Sequence, residues 1–228
     1  MKIKLIAYTK DPEKVCGTAA LVSTQEGSYS DLYEKTEGEK AIKILKKVIE
    51  YGHESVVEHA SFTFSIEGIS RACSHQLVRH RIASYTQQSQ RYVKFDELEY
   101  VTPPEIEKDP AKKEKYDAAI KKAADSYKEL IDSGIAPEDA RYVYPNAAHT
   151  NIVITMNARA LLHFFQLRCC NRAQWEIHEM ADLMLKEIKK VAPNIFENAG
   201  PGCLNGPCPE GSKTCGKMEE VRNKYKEF

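Results

Sequence analysis

Residues 60–92 read "ASFTFSIEGISRACSHQLVRHRIASYTQQSQRY", and two periodicities meet within them. Ala60, Phe62, Phe64 and Ile66 alternate with Ser61, Thr63 and Ser65, which is the pattern of a strand with one buried face. The period then changes: Ile69, Ala72, Cys73 and Leu77 line one side of a helix, while Arg71, His75 and Arg79, four apart, line another. On that helix Gln76 and Arg79, three apart, reach the same ligand. Residues 68–93 carry four Arg and two His and no Asp or Glu, where the chain's 33 acids in 228 residues would place about four. A second acid-free window, residues 141–175, holds Arg141, Arg159, Arg168 and Arg172 where about five acids would be expected. Two such windows in a chain of zero formal net charge point to an internal anionic ligand site rather than to a basic surface.

Outward from this stretch, residues 2–8 alternate loosely as a first strand, and Ala41, Ile42, Leu45, Val48 and Ile49 set a helix over about 38–51 that stops near Gly52. Tyr116, Ala119, Ile120, Ala123, Tyr127, Leu130 and Ile131 make a long amphipathic helix closed by Gly134, its charges forming a solvated face. Residues 151–156 read as a strand. They lead into a helix over 157–167 with Ala158, Leu161, Leu162 and Phe165 inward, and another follows over 174–191. Strands and helices do not alternate regularly, so the expected class is α+β: a single mixed domain with an antiparallel or mixed sheet flanked by long helices. There is no internal repeat and no Gly-rich phosphate loop.

Length fits one large domain with a full core. The N-terminal "MKIKLIAYTK" has too short an apolar run for a secretory signal or a membrane span, so a cytoplasmic location is expected. Seven Cys, two of them adjacent at Cys169 and Cys170, do not suit a secreted disulfide framework. Cys203, Cys208 and Cys215 sit among Gly and Pro at spacings that match no tight zinc knuckle, and read as free thiols in a loop. "HESVVEH" (residues 53–59) fails as a zinc-protease helix because His53 and His59 are six apart, so no metal is expected there. His53 and Ser55 remain a polar loop able to meet a ligand.

After Arg79, His80 and Arg81 come Ser84, Thr86, Gln87, Gln88, Ser89 and Gln90, a run of neutral donors and acceptors. Guanidinium forks suit phosphate oxygens, and amides and hydroxyls suit the edge of a heterocycle. The same arginines with Tyr85 and Tyr92 as stacking platforms would also serve an RNA or single-stranded nucleic-acid binding module, but the neutral charge balance and the lack of a module signature weigh against it.

Arg79-His80-Arg81, seven residues, then Ser89 resembles the signature of the flavin-dependent thymidylate synthases. "HESVVEH", "ARYVYP" with Arg141, "NARAL" with Asn157 and Arg159, and "LRCCNRAQWEI" with Arg168 resemble that family's other blocks in order and approximate spacing. The resemblance covers about residues 1–195, which suggests a domain over 1–196 and a Cys/Gly/Pro-rich tail over 197–228. It implies a homotetramer with shared active sites that makes dTMP from dUMP, with 5,10-methylenetetrahydrofolate as carbon donor and NADPH-reduced FAD as hydride carrier. It places FAD contacts on Ser55, Arg79, His80, Arg81, Gln87, Asn157, Arg159 and His163. It places dUMP contacts on Gln76, Arg79, Gln87, Gln88, Ser89, Arg91, Arg141 and Arg168, and gives Arg168 the role of favouring ionisation of the uracil ring. Gln87 stands where the family has Glu, Thr86 where Asn is usual and His163 where Asn is usual. A turnover-deficient flavin-binding homologue is the reading that the loss of the Gln87 charge would motivate.

Overall fold

The computed structural model describes residues 1–93 and 97–228. In chain order it runs through strand β1 (Lys2–Tyr8), helices α1 (Pro12–Val22), α2 (Tyr29–Lys35) and α3 (Gly38–Glu50), and a 3-10 turn at Glu54–His59. Strand β2 (Ser61–Ser70), helix α4 (Arg71–Leu77) and strand β3 (Ser84–Gln87) follow, then helices α5 (Pro104–Glu107), α6 (Pro110–Asp132) and α7 (Pro137–Ala140). Strand β4 (His149–Asn157) and helices α8 (Ala158–Arg168), α9 (Trp175–Lys189) and α10 (Met218–Lys226) complete it. The four strands form one antiparallel sheet in the order β1-β2-β4-β3, so the class is α+β.

Two junctions in which a strand runs directly into a helix set the frame. At the end of β2 the Ser70 hydroxyl accepts from the Cys73 amide at 2.9 Å, satisfying one of the donors that the first turn of α4 leaves open. At the end of β4 the Asn157 side-chain oxygen accepts from the Ala160 amide at 2.9 Å and starts α8 in the same way.

The chain divides into two compact units, each assembled from separate stretches. The first holds residues 1–2, 66–79 and 86–153. Its buried apolar side chains include Ile66, Ile69, Cys73 and Leu77, with Ile120 and Tyr127 from α6 and Ile152 from β4. The Tyr127 ring lies 4.3 Å from that of Tyr144.

The second unit holds residues 3–65, 80–85 and 154–228. The alternation read from the sequence is realised there: Phe62 and Phe64 are buried on β2, as Ile154 and Met156 are on β4. Phe196 joins these layers, its ring 5.6 Å from Phe62 and 6.0 Å from Phe165 in edge-on contacts. Helix α1 crosses α3 so closely that a methyl group on Gly17 would lie 2.2 Å from the Ala41 carbonyl oxygen. Only glycine permits that approach. Helix α10 is tied to α9, since the Tyr225 hydroxyl donates to Asp182 and to the Cys169 carbonyl and Lys224 Nζ lies 2.5 Å from Asp182.

Several elements depart from the sequence reading. Strand β2 extends through Ile69 to Ser70, past a positive φ of 70° at Gly68, so the following helix starts at Arg71 and leaves Ala72 exposed. The long helix begins at Pro110, because Asp109 caps it through the Ala111 and Lys112 amides and α5 stands apart before it. On α8 it is Phe164, rather than Leu162, that is fully buried beside Leu161 and Phe165.

Candidate functional site

The site residues expected from the sequence fall into two groups, one in each unit. In the first unit Glu138 organises the arginines. Arg91 donates through Nε and Nη2 to Glu138 Oε2, each at 2.8 Å, and Arg141 Nε donates to the Glu138 backbone carbonyl at 3.0 Å. Arg71 lies near Arg141. Burial first and the Arg141 charge second hold its pKa below the usual guanidinium range. The Glu138 carboxylate pairs with Arg91, while Arg141 bonds only its backbone carbonyl, and guanidinium groups of this kind suit a phosphate dianion.

Beside them on β3 and the loop that follows, the amides are already in fixed orientations. Gln87 Nε2 donates to the Ser74 hydroxyl at 2.9 Å and to the Thr150 hydroxyl at 3.1 Å. The Gln88 amide donates to the Asn151 carbonyl at 2.9 Å, and Asn151 Nδ2 donates back to Gln88 Oε1 at 3.2 Å. Ser89 Oγ accepts from the Arg91 amide at 3.1 Å. Gln76 is half-buried near the end of α4, and Arg79 is exposed just past it, its amide donating to the Gln76 carbonyl at 3.3 Å.

In the second unit His80 is the hub. Arg168 Nε donates to His80 Nε2 at 3.0 Å, the Phe164 ring stands edge-on to the imidazole at 4.9 Å, and the His163 ring lies 6.4 Å away. Burial, followed by the neighbouring Arg168 and His163, pushes the His80 pKa down to about 4. The ring is therefore neutral at physiological pH. Arg159 leaves α8 in another direction, with Nη1 2.6 Å from Glu58 Oε1 and Nε 3.5 Å from Glu54 Oε2. Ser55 is exposed on the same 3-10 turn, and Asn157 is committed through its oxygen to the α8 cap.

This arrangement corrects one inference from the acid-free windows. Sequence distance from acids does not make the arginines unpaired, because Arg91 and Arg159 receive carboxylates from residues 138, 54 and 58, outside both windows. Among the described residues Arg79 and Arg81 are exposed and form no ion pair. Arg79 belongs to the first unit and Arg81 to the second, and the guanidinium donors of either suit phosphate oxygens. Sequence reasoning missed Arg71, Glu138 and Thr150. Glu138 was detectable, standing three residues before Arg141 on a helical turn. Thr150 was not, since its role depends on β4 and β3 pairing.

Guanidinium groups are present in each unit, and such groups suit an anionic, phosphorylated ligand. Comparison with known proteins narrows the class. A family profile described as thymidylate synthase complementing protein matches residues 4–194. A flavin-dependent thymidylate synthase of Geobacter sulfurreducens is 53% identical, covering 100% of this chain and 99% of that protein. One from Clostridium tetani is 48% identical over 99% of this chain and 97% of its own length, and one from Pyrococcus furiosus is 45% identical over 99% and 96%. The chain belongs to the family of flavin-dependent thymidylate synthases. That membership favours the enzyme over the nucleic-acid module that the same arginines would serve.

Proposed function

We propose that the protein converts dUMP to dTMP with 5,10-methylenetetrahydrofolate as carbon donor and NADPH-reduced FAD as hydride carrier, acting in the cytoplasm as a homotetramer with shared active sites. The observation that carries this reading, on a chain of this family, is the Arg168–His80 pair: a cation oriented by a group that does not neutralise it. In the proposed reaction Arg91, Arg141 and Arg71 hold the substrate phosphate. Gln76, Gln87, Gln88 and Ser89 meet its sugar and base, and Arg79 adds a further cation. Arg168 stabilises negative charge on the uracil as its N3 proton leaves, the stage at which a preorganised donor lowers the barrier most. FAD, when bound, supplies the hydride. Arg79 and Arg81, with Ser55, His80, Gln87, Asn157, Arg159 and His163, are the residues assigned to hold it. No protein nucleophile enters the scheme.

The test is direct. The purified protein should take up FAD, turn yellow, and form dTMP only when dUMP, methylenetetrahydrofolate and NADPH are all present. A flavin-loaded protein that consumes NADPH without making dTMP under those conditions would overturn the proposal.

A further inference from the structure

Helix α10 takes no part in the proposed reaction, yet two of its side chains reach the end of α8 at the point where Arg168 leaves it. Arg168 is the last residue of α8, and a helix leaves its final carbonyls without intrahelical partners. The Cys169 carbonyl lies 3.0 Å from the Tyr225 hydroxyl, which also meets Asp182 Oδ1, so one proton is shared between two acceptors. The Cys170 carbonyl accepts from the Ala173 amide at 2.8 Å and has His178 Nδ1 at 3.0 Å. A carbonyl only accepts, so the imidazole donates to it through Nδ1.

Asp182 on α9 draws these groups together. Its Oδ2 lies 2.5 Å from Lys224 Nζ and 3.4 Å from His178 Nε2, and Lys224 Nζ is itself 3.2 Å from that nitrogen. Burial would raise the Asp182 carboxyl, but the hydrogen bonds from His178, Lys224 and Tyr225 prevail and hold it below its ordinary value, so it is ionised at neutral pH. Arg222 ties the same helix to the loop before it, donating to the Cys203 carbonyl at 2.9 Å and to the Gly206 carbonyl at 2.7 Å. Tyr225 and Cys169 are both buried, and hydrogen bonds made away from water restrain a helix end that would otherwise fray.

We propose that α10 positions Arg168: Tyr225, and Lys224 through Asp182 and His178, hold the two carbonyls that follow Arg168 and keep the last turn of α8 wound, so that the guanidinium leaves the helix at a fixed point and in a fixed direction. The hold acts on the backbone. It leaves Arg168 its side-chain contacts and His80 its assignment to the flavin. It rests on the role proposed for Arg168 in uracil ionisation.

The experiment uses the full chain. Tyr225→Phe keeps the ring and removes the hydroxyl, and Lys224→Met keeps the aliphatic stem and removes the ammonium. Lys224 is partly exposed, so its variant keeps the test open should Tyr225→Phe fail to fold. Each is made alone and with Arg168→Ala, and saturated turnover, the KM for dUMP and FAD affinity are measured. Tyr225→Phe should lower saturated turnover about tenfold alone and no more than about twofold with Arg168→Ala, while KM and FAD affinity stay within about threefold of the parent. Lys224→Met should follow the same pattern with a loss of about fivefold. A merely structural α10 would cost the same in both backgrounds or move FAD affinity in step with turnover. Either result, or unchanged turnover in a folded single variant, would overturn the proposal.

Hydrogen-exchange mass spectrometry supplies a readout independent of turnover. The amides of residues 165–172 should exchange about fivefold faster in Tyr225→Phe than in the parent while those of β2 keep their rate, and equal rates at 165–172 would rule the proposal out. Absence of dTMP from the parent, with exchange at 165–172 rising as expected in the variant, would instead sink the proposed reaction and leave the hold of α10 on α8 standing.

Discussion

Arg159 and Glu58 are joined by a 2.6 Å contact between Nη1 and Oε1, so a residue assigned to an anionic cofactor already holds a carboxylate, with Glu54 Oε2 3.5 Å from its Nε. The cation and the acids are all about half exposed, which makes the pair weak and exchangeable rather than structural. An incoming phosphate must compete with two carboxylates. Glu58→Gln should therefore tighten FAD binding a few-fold, more at low ionic strength than at high, with no measurable change in stability. Flavin fluorescence titrations at two salt concentrations check this; weaker binding would place Glu58 among the cofactor's own partners.

Arg168→Ala should fold normally and retain FAD, yet lose on the order of a hundredfold in turnover at saturating dUMP, the usual cost of removing a preorganised donor. Lys keeps the charge but not the planar fork, and has no Nε–H to offer the His80 imidazole. Its rescue should be partial. Near-normal saturated turnover with a raised KM would assign Arg168 to the phosphate instead.

The Cys169 thiol is fully buried, and burial, with Asp182 adding to it, pushes its pKa far above the ordinary thiol value. Cys73 is also fully buried, and Cys170 is partly so. Cys169 thus presents no thiolate at neutral pH to attack a uracil ring. Cys73→Ala, Cys169→Ala and Cys170→Ala should each keep turnover within about threefold, the buried two at a cost of about 1–2 kcal/mol in urea denaturation. Loss of activity in any folded, FAD-bound variant of the three would contradict a mechanism without a protein nucleophile.

How much of this was legible beforehand varies with the kind of signal. The β2 alternation, the α8 and α9 periods and the basic stretch at residues 79–91 were readable because burial or charge repeats there on a short rule. Helix α1 was not: its buried side includes Gly17 and Thr18, small residues chosen by the close approach to α3 and invisible to a search for large apolar groups. Helix α10 was hidden among charges, Val221 and Tyr225 being its buried residues. The candidate residues themselves came from a motif. Their partners, Glu58 for Arg159 and Thr150 for Gln87, come from residues 101 and 63 positions away, and no local pattern encodes such pairs.

The two ends of α8 serve different neighbours, Arg159 reaching the Glu54–His59 turn and Arg168 reaching His80. Together with the family's shared sites, this predicts that flavin binding depends on assembly. Sedimentation followed at the flavin wavelength should show FAD leaving as the protein is diluted to monomer. Retention at unchanged affinity would rule the shared-site tetramer out.

His80 also makes stability depend on pH. Its folded pKa, about 4, lies below the ordinary histidine value of 6.5, so the unfolded chain takes up a proton that the folded chain refuses. The contribution is present above pH 6.5 and is lost as pH falls from there towards 4. After discounting for partial exposure it is worth on the order of 1 kcal/mol between pH 7 and 5. Urea midpoints should show that loss in the parent and little of it in His80→Gln; identical pH profiles would contradict it.

The Asn157 cap has a mechanical meaning that reaches beyond the first turn of α8. An eleven-residue helix is a shaft about 16 Å long, and its rotational phase is set where it begins. If Asn157 lost its hold on the Ala160 amide and the start slipped by a single residue, the far end would turn by about 100° and carry Arg168 away from His80. A residue eleven positions from the guanidinium thus acts as the index mark that keeps it aimed.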